Sequence, residues 1–141
     1  MSDYPQKAFE AFQVGDSAEI TKTLDQAEVA AFADLSGDRH PVHLDAAYAE
    51  TTRFGTRVVH GMLTASLISA ALGRLLGRPG AISVEQTLRF IRPVHLGDTI
   101  TARAEVIGIV TPQRRLRCRT TCRNQRDELV VSGEAIEQKD E

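Results

Sequence analysis

The chain has 141 residues, 42% of them apolar and 26% charged, a balance that places it among globular proteins and outside the disordered, collagenous and fibrous classes. A single domain spanning 1–141 is expected, with a radius of gyration of roughly 14 Å and enough buried surface for a core without disulfides or a structural metal. Seventeen basic against nineteen acidic side chains leave a formal charge of −2, which argues against a sequence-independent grip on nucleic acid or an anionic membrane and favours small-molecule chemistry.

Residues 1–13 read as a loosely specified lead-in, closed by the turn signal Val14-Gly15-Asp16. No apolar run follows a basic cluster there, so no signal peptide or lipidation signal is read, and a reduced, cytoplasmic location is expected. A short strand is expected over 18–22. Thr23-Leu24-Asp25-Gln26 has the form of a capping box, and Val29, Phe32, Ala33 and Ser36 follow at helical spacing until Gly37, which predicts a helix over 26–35. Asp45 is placed to cap a second short helix over 46–52. Between the two, Pro41 forbids a continuous helix and pushes His40 to an extended conformation.

Residues 61–76 are apolar around most of their circumference, and Gly77 and Pro79-Gly80 follow, which predicts a central helix that wants burial on every side. At about 24 Å it falls short of the ~30 Å hydrocarbon core, and Thr64, Ser66, Ser69 and Arg74 weaken a membrane reading further. Four strands are expected after it, over 81–91, 99–106, 115–120 and 129–136, each alternating apolar and polar residues, with 137–141 as a tail. Long strands joined by short links predict an antiparallel sheet, and the lone apolar helix before them predicts a sheet curled around it, an α+β arrangement. Cys118 and Cys122 would lie about 13 Å apart on one strand, beyond disulfide reach, and are expected to be free, buried thiols.

Three of the four histidines fall in Asp38-Arg39-His40-Pro41-Val42-His43-Leu44-Asp45 and Val58-Val59-His60-Gly61. A turn broken by Pro41 can bring Asp38 and His43 to one point, a carboxylate beside an imidazole, the pair needed to take a proton from water and deliver one elsewhere. Each also has a plainer reading: Asp38 as a local side-chain to backbone bond at a helix exit, and the histidines as structural or solvated loop residues. A metal site built from Asp38, His40, His43 and His60 is a further alternative, although no zinc spacing such as His-Glu-x-x-His is present. Nucleophilic catalysis has no Gly-x-Ser-x-Gly elbow and no cysteine near the cluster to support it. Gly61 opens the central helix, where free backbone N–H groups and the helix dipole stabilise a developing negative oxygen; close packing is its plainer role. Ser69 lies about two turns further on, where it reaches a ligand or bonds back to the preceding turn. Six arginines fall between Arg114 and Arg126, with Arg115, Arg117 and Arg119 on one strand face. They read as a solvated face or interface, or alternatively as a landing site for an anionic handle such as a nucleotide phosphate.

The run from Phe32 to Asp45, followed by Phe54-Gly55, Val59-His60-Gly61-Met62-Leu63, Leu88-Arg89-Phe90-Ile91-Arg92-Pro93-Val94 and Leu96-Gly97-Asp98-Thr99-Ile100, resembles the MaoC-type R-specific enoyl-CoA hydratases from about residue 14 to 136. The resemblance implies a hot-dog fold and a homodimer with active sites near the subunit boundary. It implies Asp38 and His43 as the catalytic pair, Gly61 as the oxyanion-binding N–H, and Ser69 as a supporting position, with His40 and His60 as further supporting or substrate-binding residues. The implied reaction is reversible syn addition of water to a trans-2-enoyl-CoA, giving an R-3-hydroxyacyl-CoA. Coenzyme A then enters as the substrate's handle, and no metal or other cofactor is expected. The family commonly has Asn where this chain has His40, a change that bears on loop geometry and pH response. A hot-dog acyl-CoA thioesterase and a non-catalytic acyl-thioester binding module are the alternatives.

Overall fold

The computed structural model describes residues 3–140. Its elements follow the chain as β1 (Ser17–Leu24), α1 (Gln26–Ser36), α2 (Pro41–Leu44), α3 (Ala46–Glu50), α4 (Gly61–Leu76), β2 (Ala81–Gln86), β3 (Arg89–Phe90), β4 (Asp98–Val110), β5 (Arg115–Arg123) and β6 (Leu129–Lys139). The strands form one antiparallel sheet in the order β1-β4-β5-β6-β2, with β3 also paired to β6. Helix α4 packs against β1, β4, β5 and β6. This is the hot-dog arrangement, an α+β fold.

The alternation of β4 explains why the sheet wraps the helix. Ile100, Ala102, Ala104 and Val106 are fully buried, as are Leu116, Cys118, Thr120 and Cys122 on β5, because side chains two apart share one face of a strand. Small residues on β4 let the sheet close against Leu63, Leu67, Ile68, Ala71 and Leu75 of α4, all in the same core. Both cysteines are free, and burial pushes their thiols up to about 12, so they pack as small apolar groups.

The structure corrects the sequence expectations in five places. The lead-in is not loosely specified: Phe9–Ala11 make a 3₁₀ turn, and Phe9 and Phe12 join the core, where each aromatic ring contributes roughly 1.5–3 kcal/mol by leaving water. The capping box lies two residues later than expected, with Asp25 and Glu28 as its partners, while Thr23 belongs to β1 and pairs its hydroxyl with that of Thr99. Pro41 does more than end a helix: it starts the short α2 at its first position, where its missing N–H costs nothing.

The expected strand over 81–91 breaks at Thr87 and Leu88. Thr87 turns its carbonyl onto Gly133, where a Cβ would sit 1.8 Å from that oxygen, so only glycine fits opposite the break. Ile82 and Val84 on β2, and Phe90 and Ile91 at the end of β3 and just beyond it, are exposed along this edge of the sheet. Residues 137–139 are not tail but the end of β6, and Glu137 and Lys139 point inward. The Lys139 ammonium donates to the carbonyls of Leu76 and Pro79 at the C-terminal end of α4, which complements the negative end of the helix dipole.

Candidate active site

The site is built by the two ends of the connection between α1 and α4. Gly37 terminates α1 in the left-handed conformation, φ +81°, a position that glycine takes without the Cβ penalty. The chain then turns through Asp38. Its backbone N–H donates to Ser36 Oγ, and its carboxylate accepts from the His40 backbone N–H at 3.3 Å. His40 stands at φ −57°, ψ 134° and caps α2, its Nδ1 accepting from Val42 N at 3.1 Å. An asparagine side-chain oxygen performs the same service at a helix N-cap. The imidazole therefore replaces the amide without altering the start of the helix, and because Nδ1 is the acceptor, the proton of the neutral ring resides on Nε2.

His43, one turn into α2, donates from Nδ1 to the Val58 carbonyl at 2.7 Å. That bond fixes the tautomer and leaves the Nε2 lone pair facing Asp38, whose Oδ2 is 3.9 Å away. The carboxylate is half exposed and the imidazole nearly enclosed. Burial, the largest influence on His43, holds its pKa below the ordinary histidine value; the Val58 hydrogen bond and the Asp38 charge oppose it, and His60 reinforces it. His60 donates from Nε2 to the Asp38 carbonyl at 2.9 Å and stacks on His43 with ring centroids 3.8 Å apart. One buried ring thus braces both members of the pair.

His43 and Gly61 line a cavity of about 400 Å³ together with Thr64, Arg53, Phe54, Phe90 and Arg92. Asp38 is not part of its wall but approaches from the Nε2 side of His43. Gly61 is the first residue of α4, where the N–H has no carbonyl of a preceding turn to bond. A Cβ at Gly61 would meet two ring carbons of Phe90 at 3.0 Å, so glycine also lets the ring lie against the helix start.

Asp38, His43, His60 and Gly61 are thus brought together, whereas two other expectations are not met in this cavity. Ser69 lines a second, larger cavity of about 670 Å³ on the other flank of α4. The arginine face of β5 lies outside both: Arg117 faces Glu134 at 3.7 Å, Arg119 faces Glu105 at 3.8 Å, and Arg115 donates to Gln138. Cross-strand pairing on an exposed face accounts for them. Sequence reading missed Arg53, whose guanidinium stacks on Phe54 at 4.9 Å in the cavity wall. It also missed Thr64, whose buried hydroxyl has no hydrogen-bond partner among the described residues. Neither stands out in a motif, since only the three-dimensional wall selects them. For a metal, Asp38, His43 and His60 offer ligand atoms within 4.8 Å of one another. His40 is not in that set, its Nδ1 being spent on the cap, and His43 and His60 each have one nitrogen committed to a carbonyl.

A curled sheet around one helix, with a carboxylate and an imidazole set beside the helix N-terminus, defines a hot-dog-fold protein with a candidate acid–base site. The chain belongs to the MaoC like domain family, which matches residues 11–129. It is similar to an (R)-specific enoyl-CoA hydratase of Rhodospirillum rubrum, 46% identical over 90% of this chain and 88% of that protein. A 3-hydroxybutyryl-CoA dehydratase of Methylorubrum extorquens is 43% identical over 91% of this chain and 81% of its own length. Among solved structures, an R-hydratase from Pseudomonas aeruginosa in the unliganded form superimposes with a TM-score of 0.88 at 47% identity, covering 94% of this chain and 85% of the other.

Proposed function

We propose that this protein is an R-specific enoyl-CoA hydratase, a hydro-lyase that adds water reversibly to a trans-2-enoyl-CoA to give the R-3-hydroxyacyl-CoA. The observation that carries this reading is the 3.9 Å approach of His43 Nε2 and Asp38 Oδ2 beside the Gly61 N–H at the head of α4, in a chain of this family. A water held between the two side chains gives up a proton as its oxygen bonds to the β-carbon. The Nε2 lone pair of His43 favours that deprotonation, and Asp38 relays a proton to the α-carbon, so that both additions occur on one face. Negative charge builds meanwhile on the thioester oxygen, where the Gly61 N–H and the positive end of α4 stabilise it.

The chemistry asks for no metal and no redox cofactor, and coenzyme A serves as the handle. Arg53, free of carboxylate partners among the described residues and set in the cavity wall, is the group we assign to the handle's phosphates. The exposed Ile82 and Val84 on β2, with Phe90 and Ile91 along the same edge, support a homodimer, because an unpaired apolar edge strand is a ready surface for a second copy. No helix among the described residues is long and apolar enough to cross a membrane, and a cytoplasmic location is part of the proposal.

The direct experiment follows crotonyl-CoA by the loss of enoyl absorbance while a thiol reagent monitors release of coenzyme A. Loss of conjugation without thiol is expected. Thiol release from saturated acyl-CoAs would instead identify a thioesterase, and tight binding without turnover would identify a binding module.

A further inference from the structure

The larger cavity carries one group that the hydration chemistry does not use. Glu137 is only 2% exposed, yet it occupies an inward position of β6, between Ala135 and Lys139, where the alternation calls for an apolar residue. Its partner is Ser83, directly across on β2, whose hydroxyl approaches the two carboxylate oxygens at 2.8 and 3.0 Å. A carboxylate has about four acceptor sites, so most of its capacity is open. The cavity wall contains no lysine or arginine among the described residues, and Lys139 is turned away to Leu76 and Pro79. Elsewhere the wall is largely apolar: Phe32, Met62, Ile68, Leu72, Leu76 and Leu88.

The wall of this cavity adjoins the candidate catalytic residues without including them. Met62 follows Gly61 directly, and the Phe32 ring lies 4.8 Å from that of His60. From there it runs along α4 past Ser69 to Gly77, and Glu137 lies on the sheet side. Its volume of about 670 Å³ is in the range of small-ligand sites, which are typically apolar with a few placed polar groups.

With the acyl chain of the proposed substrate lying along α4 in this cavity, we propose that Glu137 selects chains bearing a hydroxyl group toward their far end over plain alkyl chains of the same length. The proposal rests on the hydration reading for its substrate class. Burial raises the pKa of Glu137 above the ordinary carboxyl value, against the opposing effect of the Ser83 hydroxyl, and in either protonation state its open acceptor sites can take a hydroxyl donor. A plain methyl terminus leaves that buried carboxyl without a new partner, while a hydroxyl terminus supplies one, and an unmet buried polar group is costly.

The test compares two trans-2-enoyl-CoAs of equal length, one ending in a methyl group and one in a primary hydroxyl, with wild-type protein, Glu137→Leu and Glu137→Gln. The ratio of kcat/KM, hydroxyl over methyl, is expected to fall about tenfold or more in Glu137→Leu, the scale of a hydrogen bond to a carboxyl group, and to be largely kept in Glu137→Gln. Equilibrium binding of the corresponding saturated CoA thioesters to wild-type protein gives a readout that needs neither turnover nor a variant that folds; the hydroxylated thioester is expected to bind more tightly. Equal ratios in wild type and Glu137→Leu, or equal binding of the two saturated thioesters, would overturn the proposal. Wild-type hydration of crotonyl-CoA is scored separately: its absence defeats the hydration reading, while the binding comparison still decides the role of Glu137.

Discussion

The rings of His43 and His60 lie stacked, centroids 3.8 Å and planes 25° apart, and the second ring holds the Asp38 carbonyl through its Nε2–H. The buried histidine therefore links the side chain of one partner to the backbone of the other. Replacing it by phenylalanine keeps a stacking face and removes the donor. His60→Phe is expected to lower stability by about 1 kcal/mol, the ordinary cost of one lost hydrogen bond, and to reduce kcat more than it raises KM. Denaturant titration and steady-state kinetics check both, and an unchanged kcat would show that Asp38 needs no such anchor.

In the proposed mechanism Asp38 and His43 act on the same proton path, so their removal should not be additive. Asp38→Asn and His43→Gln are each expected to cost roughly 10²–10⁴ in kcat, and the double variant little more than the worse single one. The Asp38 carboxylate is half exposed, and among the described residues its one hydrogen bond comes from the nearby His40 backbone N–H, so the folded state of Asp38→Asn should persist. Circular dichroism and kcat for the three variants settle this; activity within a few-fold of wild type in Asp38→Asn would contradict the mechanism.

The pH response follows from the depressed His43 pKa. In the proposed mechanism the neutral imidazole is the working form, so activity should hold as pH falls through the ordinary histidine value of 6.5 and decline only below it. Stability carries the same sign. Below pH 6.5 the unfolded chain takes up a proton on His43 that the folded chain resists, so stability falls as pH drops through that window. An NMR titration of the His43 ring locates the midpoint, and a value above 6.5 would reverse both expectations.

Gly61 meets the ring of Phe90 at the helix start. Adding a methyl group there forces the ring or the helix aside, at about 1–3 kcal/mol for overpacking. Gly61→Ala should also lose roughly 10²–10³ in kcat as the N–H shifts from the thioester oxygen. Trimming Phe90 to alanine in the same chain should restore much of the lost stability, which thermal unfolding of the single and double variants measures.

The exposed β2 edge predicts association. Val84→Lys places a charge in the middle of that edge and is expected to shift the protein from dimer to monomer by light scattering. A wild-type mass of one chain would remove the dimer from the proposal.

Much of this architecture was legible in residue patterns. The apolar circumference of α4 placed that helix at Gly61–Leu76, the bounds observed, and the alternation on β4 and β5 announced the sheet. The pair Asp38 and His43 was legible because Pro41 constrains the turn between them. What stayed hidden depends on contacts distant in sequence. The break at Thr87 requires Gly133, 46 positions away by their numbering, and the same alternation describes a strand with or without it. For the arginines of β5 the anion-site alternative stays open beside the solvated-face reading in the sequence, because their acidic partners, Glu105 and Glu134, sit on neighbouring strands. The inward place of Glu137 on β6, outside the strand expected to end at 136, shows only once that strand pairs with β2.

The candidate site residues Asp38, His43, His60 and Gly61 all belong to 38–61, whereas the larger hollow is walled mainly by α4 from Met62 onward, with Phe32 of α1 and residues of β2 and β6 closing it. Under the proposed function, bond making and fit are thereby written on separate stretches of polypeptide, and substitutions in the hollow's wall change which acyl chains are admitted while leaving the reactive centre in place.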